Sequence, residues 1–109
     1  MAANAGLTEA YCYILFALVE PMHGYGIMQK VEEMSDGTFS IGPGTLYAAL
    51  TNMQKRKWIE PCGDESGRRK NYRLTAAGRA KVCEELERIQ LLQSAAEKTV
   101  KLLAREQIK

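Results

Sequence analysis

The chain has 109 residues, of which 46% are hydrophobic and 26% are charged, and its formal net charge is +2. These values are typical of one folded domain with a modest core. No apolar run is long enough to span a bilayer, and the N-terminal MAANAGLTEA lacks the basic and apolar regions of a signal peptide. We therefore expect a cytoplasmic protein without a membrane partner.

The three cysteines, Cys12, Cys62 and Cys83, are odd in number and widely spaced. This pattern favours neither a disulfide framework nor a zinc site, so we expect no metal and no cofactor. Reduced thiols are the simplest interpretation, and redox sensing stays open as an alternative.

Positive charge is concentrated in the middle of the chain. Residues 1–39 carry one lysine and five acidic residues, whereas residues 40–75 carry seven basic and three acidic residues. A polyanion would be steered to that central surface.

The first predicted helix begins after Thr8, a suitable N-cap residue. Tyr11, Ile14, Leu15 and Leu18 follow helical spacing and predict a face in the core. The rest of YCYILFALV is also apolar, and a helix that is hydrophobic nearly all round is usually buried on more than one side. We expect its second side to contact another copy of the chain.

Pro21 ends this helix, and HGYGI opens a second one. Its inward face is predicted from helical spacing to hold Ile27, Met28, Val31 and Met34. His23 is the only histidine, and we interpret it as a helix-entry residue rather than a metal ligand.

A third helix is predicted from Pro43, a favoured first helical residue. Leu46, Ala49, Leu50 and Met53 form its apolar stripe. The outer face and its flanks are small or polar, and they comprise Gly44, Thr45, Tyr47, Ala48, Thr51, Asn52 and Lys55. Such a face is either ordinary solvated surface or one that approaches a duplex closely and bonds to base edges.

Residues 58–62 and 70–74 predict two short strands joined by a polar loop, which is a two-stranded wing. Its basic and aromatic residues are Arg68, Arg69, Lys70, Tyr72 and Arg73. The position of this hairpin straight after an outward-facing helix favours nucleic-acid binding over a merely solvated arm.

A last, long helix is predicted from Ala76, capped by Thr75. Its heptad seam comprises Val82, Leu86, Ile89, Gln93, Ala96, Val100 and Leu103. So long a helix cannot fold back on so small a domain, so we expect it to pair with its twin. The predicted dimer interface comprises Tyr11, Leu15 and the seam from Leu86 onward. Gln93 either fixes the register or lies at the rim.

These elements follow the order of a mainly α protein with a two-stranded β-wing. The expected domains are a winged helix-turn-helix over residues 1–75 and a dimerisation helix over residues 76–109. The motifs HGYGI, PGTLYAAL, WIE and GRRKNYRLTAAG resemble those of the PadR family of bacterial transcriptional regulators, in its small form with one C-terminal helix. The resemblance covers residues from about Tyr11 to Arg79. It departs from the family at Lys57, where glycine usually ends the recognition helix.

The resemblance implies a homodimeric repressor on a palindromic operator, often released by a small aromatic or drug-like effector. PGTLY would begin the recognition helix, with Thr45 and Tyr47 near DNA. Arg68, Arg69 and Lys70 would contact phosphates or the minor groove, and Tyr72 is either a phosphate contact or a strand packing residue. The first and last helices supply a candidate effector pocket, comprising Tyr13, Phe16, Leu91, Leu92 and Ala95.

A winged-helix module that binds protein or RNA without operator recognition is the alternative, although a protein-binding module would more often have an apolar outer face. Enzymatic function is rejected because one histidine permits no Ser-His-Asp or Cys-His arrangement and no phosphate-cradling glycine loop is present. The paired acids Glu32/Glu33 and Glu84/Glu85 are interpreted as solvated charge.

Overall fold

The computed structural model describes residues 7–63 and 70–108. Within these ranges the chain forms four helices and three strands. In chain order they are α1 (Glu9–Ala17), β1 (Met22–His23), α2 (Gly24–Met34), α3 (Pro43–Lys55), β2 (Ile59–Cys62), β3 (Asn71–Leu74) and α4 (Ala76–Ile108). The mainly α winged helix-turn-helix with a long last helix is thereby confirmed.

The wing belongs to a three-stranded antiparallel sheet with the order β1-β3-β2. The predicted hairpin is β2 and β3, and the two-residue β1 adds a third strand by pairing Met22 with Tyr72 and His23 with Asn71. Pro61 lies in β2, which is an edge strand of the sheet. Its missing N–H is tolerated there because an edge strand pairs on only one side. A strand as short as β1 has no sequence periodicity of its own, so it was not predicted.

The core lies between the first three helices and the sheet. Its fully buried side chains are Ile14, Leu15, Leu18, Ile27, Val31, Leu46, Leu50 and Met53. The predicted inward faces of the helices are therefore confirmed, except at Met34, which ends α2 and is 41% exposed. His23 caps α2, since its Nδ1 accepts from the Gly26 N–H at 3.1 Å, as expected of a helix-entry residue.

The second side of α1 is covered largely by its own chain. Tyr13 stacks on Phe39 with ring centroids 5.2 Å apart, and Cys12 is buried beside Glu85 of α4. Leu15 has no exposed surface in the single chain, so its assignment to the dimer interface is wrong. The all-round hydrophobicity of α1 thus reflects contacts within the protomer as well as any surface left for a second copy.

Glu85 joins α4 to the start of the chain, and its interpretation as solvated charge is wrong. The carboxylate is 2% exposed. It accepts from the Leu7 N–H at 3.3 Å and from Arg88 Nε at 3.0 Å, and the Cys12 thiol lies 3.7 Å away. Burial raises the pKa of Glu85, but the bonds from Arg88 and Leu7 outweigh it and hold the pKa below the usual 4.5. The same burial and the neighbouring carboxylate raise the pKa of Cys12, which keeps this thiol protonated.

Because the folded-state pKa of Glu85 is lowered, its contribution to stability is present above pH 4.5 and is lost as the pH falls through the folded value. Glu85→Gln should therefore reduce the free energy of unfolding by about 1–3 kcal/mol at neutral pH, because charge-assisted hydrogen bonds are lost. Urea unfolding at neutral and acid pH measures this. The gap between wild type and variant should shrink in acid, and a constant gap would contradict the assignment.

The C-terminal end of α3 is a Schellman motif built on a lysine. Lys57 has φ of 61°. The Trp58 N–H donates to the Met53 carbonyl and the Lys57 N–H to the Gln54 carbonyl, both at 3.0 Å. Glycine usually adopts the left-handed conformation at this position. Here Lys57 adopts it, and the steric conflict of its Cβ reduces the stability of the fold.

Lys57→Gly should stabilise the protein by about 1 kcal/mol, because glycine adopts this backbone conformation without steric cost. The matched control is Ala48→Gly, at an exposed position inside α3, which should cost about 1 kcal/mol through helix propensity. Both values come from chemical unfolding midpoints. Destabilisation by Lys57→Gly as large as that of the control would show that the Lys57 side chain stabilises the fold.

The last helix extends well beyond the core. α4 has 33 residues, and the molecule measures 66 × 29 × 21 Å. Apolar side chains stay exposed along it at Leu86, Leu91, Leu92, Val100, Leu102 and Leu103. No helix in the described part of the chain combines the length and apolar character needed to cross a membrane.

Candidate nucleic-acid interface

The outer face of α3 is the surface that the sequence predicted for DNA. The helix begins with Gly42 as N-cap and Pro43 at its first turn, and no side chain caps its N-terminal N–H groups. The opposite face is buried in the core at Leu46, Ala49, Leu50 and Met53. The residues left exposed are Gly44, Thr45, Tyr47, Ala48, Thr51 and Lys55.

This face combines close approach with hydrogen bonding. An added Cβ at Gly44 would meet no atom within 4 Å, so this end of α3 is sterically open. The Thr51 hydroxyl donates to the Tyr47 carbonyl at 2.9 Å, and its oxygen remains on the exposed surface as an acceptor. Lys55 supplies positive charge in the last turn. Open backbone, hydroxyl groups and a cation are suited to a groove lined by phosphates.

Tyr47 is half exposed, and its ring also contacts the start of α2. A Cβ added at Gly24 would overlap the Tyr47 hydroxyl, so the missing side chain at Gly24 leaves room for the Tyr47 ring in this position. Tyr47 as a residue is 49% exposed, so it lies on the outer face of α3, as predicted.

Asn52 was predicted to lie on this face, but the structure turns it toward α1. Its Nδ2 donates to the Tyr11 hydroxyl at 2.7 Å, and its Oδ1 accepts from Arg56 Nε at 3.4 Å. Both ends of the amide are thereby engaged within the chain. We therefore correct the assignment of Asn52 as a base-reading residue.

The wing is described only in part. Arg68 and Arg69 lie outside the described residues, and their predicted phosphate contacts stay predictions. Lys70 is exposed at the start of the second wing strand. Arg73 forms an ion pair with Glu60 across the wing at 2.8 Å, so its charge is partly balanced.

Tyr72 is a strand packing residue. It is 6% exposed, and burial, with a smaller effect of Tyr47, raises its pKa above 10.0. Its assignment to the DNA-binding wing is wrong. The signal that identifies it is strand alternation, because Tyr72 and Leu74 share one face of β3 and both are buried.

A cluster that the sequence did not predict lies behind the recognition helix. The Arg56 guanidinium lies 5.1 Å from the centre of the Trp58 ring, and Lys81 Nζ lies 5.6 Å from it. Two cations over one indole are a favourable electrostatic arrangement. They join the end of α3 to the first turns of α4.

The remaining predicted residues lie on two surfaces. Tyr11 is half-buried. Of the predicted seam, Val82 is buried within the chain and Ile89 is half-buried, whereas the exposed members are Leu86, Gln93, Ala96, Val100 and Leu103. Of the candidate effector pocket, Tyr13 and Phe16 pack against the core, whereas Leu91, Leu92 and Ala95 are exposed on α4. Both assignments stay predictions.

The fold defines the class as a winged helix-turn-helix protein, in which the outer face of α3 is exposed. The sequence pattern of the transcriptional regulator PadR-like family matches residues 14–84, more than half of the chain. The chain belongs to this family, as the resemblance predicted, and the family is one of transcriptional regulators rather than enzymes.

Similar proteins are found in several bacteria. An uncharacterized 37.1 kDa protein in transposon TN4556 of Streptomyces fradiae is 38% identical over 72 residues, which are 65% of this chain and 20% of that protein. Uncharacterized protein X of Lysinibacillus sphaericus is 37% identical over 70 residues, 62% of this chain and 64% of that protein. The chain thus spans less than two thirds of both relatives. A transcriptional regulator from Clostridium thermocellum has a TM-score of 0.70 at 29% identity, covering 81% of this chain and 89% of that one.

Proposed function

We propose that the protein is a homodimeric, DNA-binding transcriptional repressor that recognises a palindromic operator. Its DNA-binding unit would be residues 1–75 and its dimerisation helix residues 76–109. The proposal extends to release by a small aromatic effector held between the first and last helices.

The observation that carries this proposal is the two-faced character of α3. One face supplies the core, with Leu46 and Met53 fully buried, and the other presents Thr45, Thr51 and Lys55 to solvent. A module that binds protein through this helix would more often present apolar side chains. A polar face ending in a cation fits a polyanion with hydrogen-bonding edges.

The exposed apolar residues of α4 support the homodimer. Leu86, Val100 and Leu103 follow the heptad seam and are about half exposed or more in the single chain. Two recognition helices must lie about 34 Å apart to enter successive major grooves on one side of B-DNA, which a dimer formed through long helices can arrange.

In this proposal α3 reads the base sequence and the wing contacts phosphates. Both roles can be tested on the DNA upstream of the protein's own gene, where footprinting should reveal an inverted repeat. Thr45→Ala should weaken binding to that repeat by about 1–3 kcal/mol and change binding to random DNA little. Lys70→Ala should weaken binding to both and reduce the salt slope by about one.

Binding titrations on both DNAs at several salt concentrations separate these effects. The charge control is Lys98→Ala, an exposed lysine of α4 away from α3 and the wing, which should leave both affinities unchanged. Equal losses on specific and random DNA for Thr45→Ala would contradict the role of α3. Absence of a footprint anywhere upstream, with no affinity for random DNA, would refute DNA binding itself.

A further inference from the structure

A cleft of about 330 Å³ opens between the N-terminal end of α1 and the C-terminal end of α3. Small-molecule pockets run from roughly 300 to 1,000 Å³, so this one would take a small molecule. It is lined by Leu7, Thr8, Tyr11, Asn52, Arg56 and Trp58. None of the exposed residues assigned above to the DNA-facing surface lines it, so the cleft is a separate feature.

The polar wall of the cleft is held in place by hydrogen bonds. The Asn52 amide donates to the Tyr11 hydroxyl at 2.7 Å and accepts from Arg56 Nε at 3.4 Å. Arg56 also lies over the Trp58 ring, which limits the positions of its guanidinium. A cation held from two sides loses less freedom when it binds a ligand.

Arg56 has hydrogen-bonding capacity left. Its Nε is engaged by Asn52, and a guanidinium has four further N–H groups. Among the described residues the ion pairs are formed by Lys30, Arg73, Lys81 and Arg88, and Arg56 has no carboxylate within pairing distance. The N-terminal end of α1, capped by Thr8, adds partial positive charge at the same opening. The cleft therefore favours an anion.

The apolar wall of the cleft determines which uncharged group the ligand can carry beside its anionic group. Leu7 and the Trp58 indole supply it, and Arg56 and Lys81 already lie over the indole. Since these cations occupy positions over the ring, a ligand does not need an aromatic ring to stack there. A short aliphatic chain can pack against Leu7 and the accessible part of the indole.

We propose that this cleft is a binding site for a small monocarboxylate with a short apolar tail. The carboxylate accepts from the terminal N–H groups of Arg56, in the planar paired geometry that guanidinium groups favour. The tail contacts Leu7 and Trp58. The site is distinct from the predicted effector pocket between the first and last helices, and it does not depend on the protein binding DNA.

The chain carries its own reporter, because Trp58 is the single tryptophan and lines the cleft. We would titrate the full chain with hexanoate, which does not absorb where indole is excited, at constant ionic strength. The expected result is a saturable change in Trp58 fluorescence. In Arg56→Gln the dissociation constant should rise about tenfold or more, because charge-assisted hydrogen bonds are lost. Hexanamide, the neutral analogue, should bind wild type as weakly as hexanoate binds the variant.

Arg79→Gln is the matched control, since it removes the same guanidinium charge from an exposed residue of α4 that does not line the cleft, and it should keep the wild-type dissociation constant. Removal of Arg56 alters the indole environment directly, so midpoints rather than amplitudes are compared. Shifts of the Asn52 amide and indole N–H resonances give a second measurement. A linear response to hexanoate, equal affinity in Arg56→Gln, or equal binding of hexanamide would overturn the proposal.

Discussion

Gly78→Ala should destabilise the protein by about 3 kcal/mol, because α4 begins in direct contact with backbone that cannot move aside. A Cβ at Gly78 would overlap the carbonyl oxygen of Trp58. That oxygen accepts from the Thr75 N–H at 2.9 Å, and the Thr75 hydroxyl caps α4 by accepting from the Gly78 N–H at 3.0 Å. Relieving the overlap would therefore disturb the cap as well as the packing.

Gly44→Ala is the matched control, since it is also a helical glycine but has no atom within 4 Å of the added Cβ. It should stabilise α3 by about 0.5 kcal/mol through helix propensity. Thermal and urea unfolding of both variants compare the two glycines directly. A loss below 1 kcal/mol for Gly78→Ala would mean that α4 can shift away from Trp58 at little cost.

Replacing Leu86 and Ile89 together by aspartate should leave a folded but monomeric protein. Leu86 is 45% exposed in the single chain and Ile89 is half-buried, so the winged domain loses little, while the proposed interface gains two charges. Because paired recognition helices bind far more tightly than one, operator affinity should fall about 100-fold or more. Sedimentation velocity and operator titration measure the two effects.

The corresponding control is Lys98→Asp, which changes the net charge by the same two units at an exposed position of α4 on the side opposite the seam. This variant should stay dimeric. A well-folded wild-type monomer at micromolar concentration would refute the dimer, and loss of dimer in both variants would show that the seam has been placed on the wrong face.

Most of the fold could be predicted from the spacing of apolar residues within each element. The stripe from Leu46 to Met53 was predictable because helical spacing alone determines which side chains share a face, and all four of its members are buried. The left-handed conformation of Lys57 was expected from the resemblance to the PadR family, in which glycine usually occupies this position.

Contacts between distant parts of the chain were not predictable in this way. The sequence around Glu85 does not indicate that Leu7 and Cys12 lie beside its carboxylate. Exposure was the expected state because charged residues of a helix are usually exposed. Asn52 was misplaced for the same reason, since its partner Tyr11 lies 41 residues away. Helical spacing therefore identified which residues of α3 are exposed, whereas it could not identify side chains whose orientation depends on a second element.

Trp58 has a mechanical consequence for the whole molecule. Its N–H donates to Met53 in α3, and its carbonyl accepts from Thr75 at the entrance to α4. The backbone of this one residue therefore links α3 to the base of α4, which is about 50 Å long, given 33 residues at 1.5 Å each. A one-degree tilt about that pivot displaces the far end by about 0.9 Å over this length. A tilt of α4 too small to disturb the bonds at Trp58 therefore displaces its tip by a distance comparable to an atomic radius.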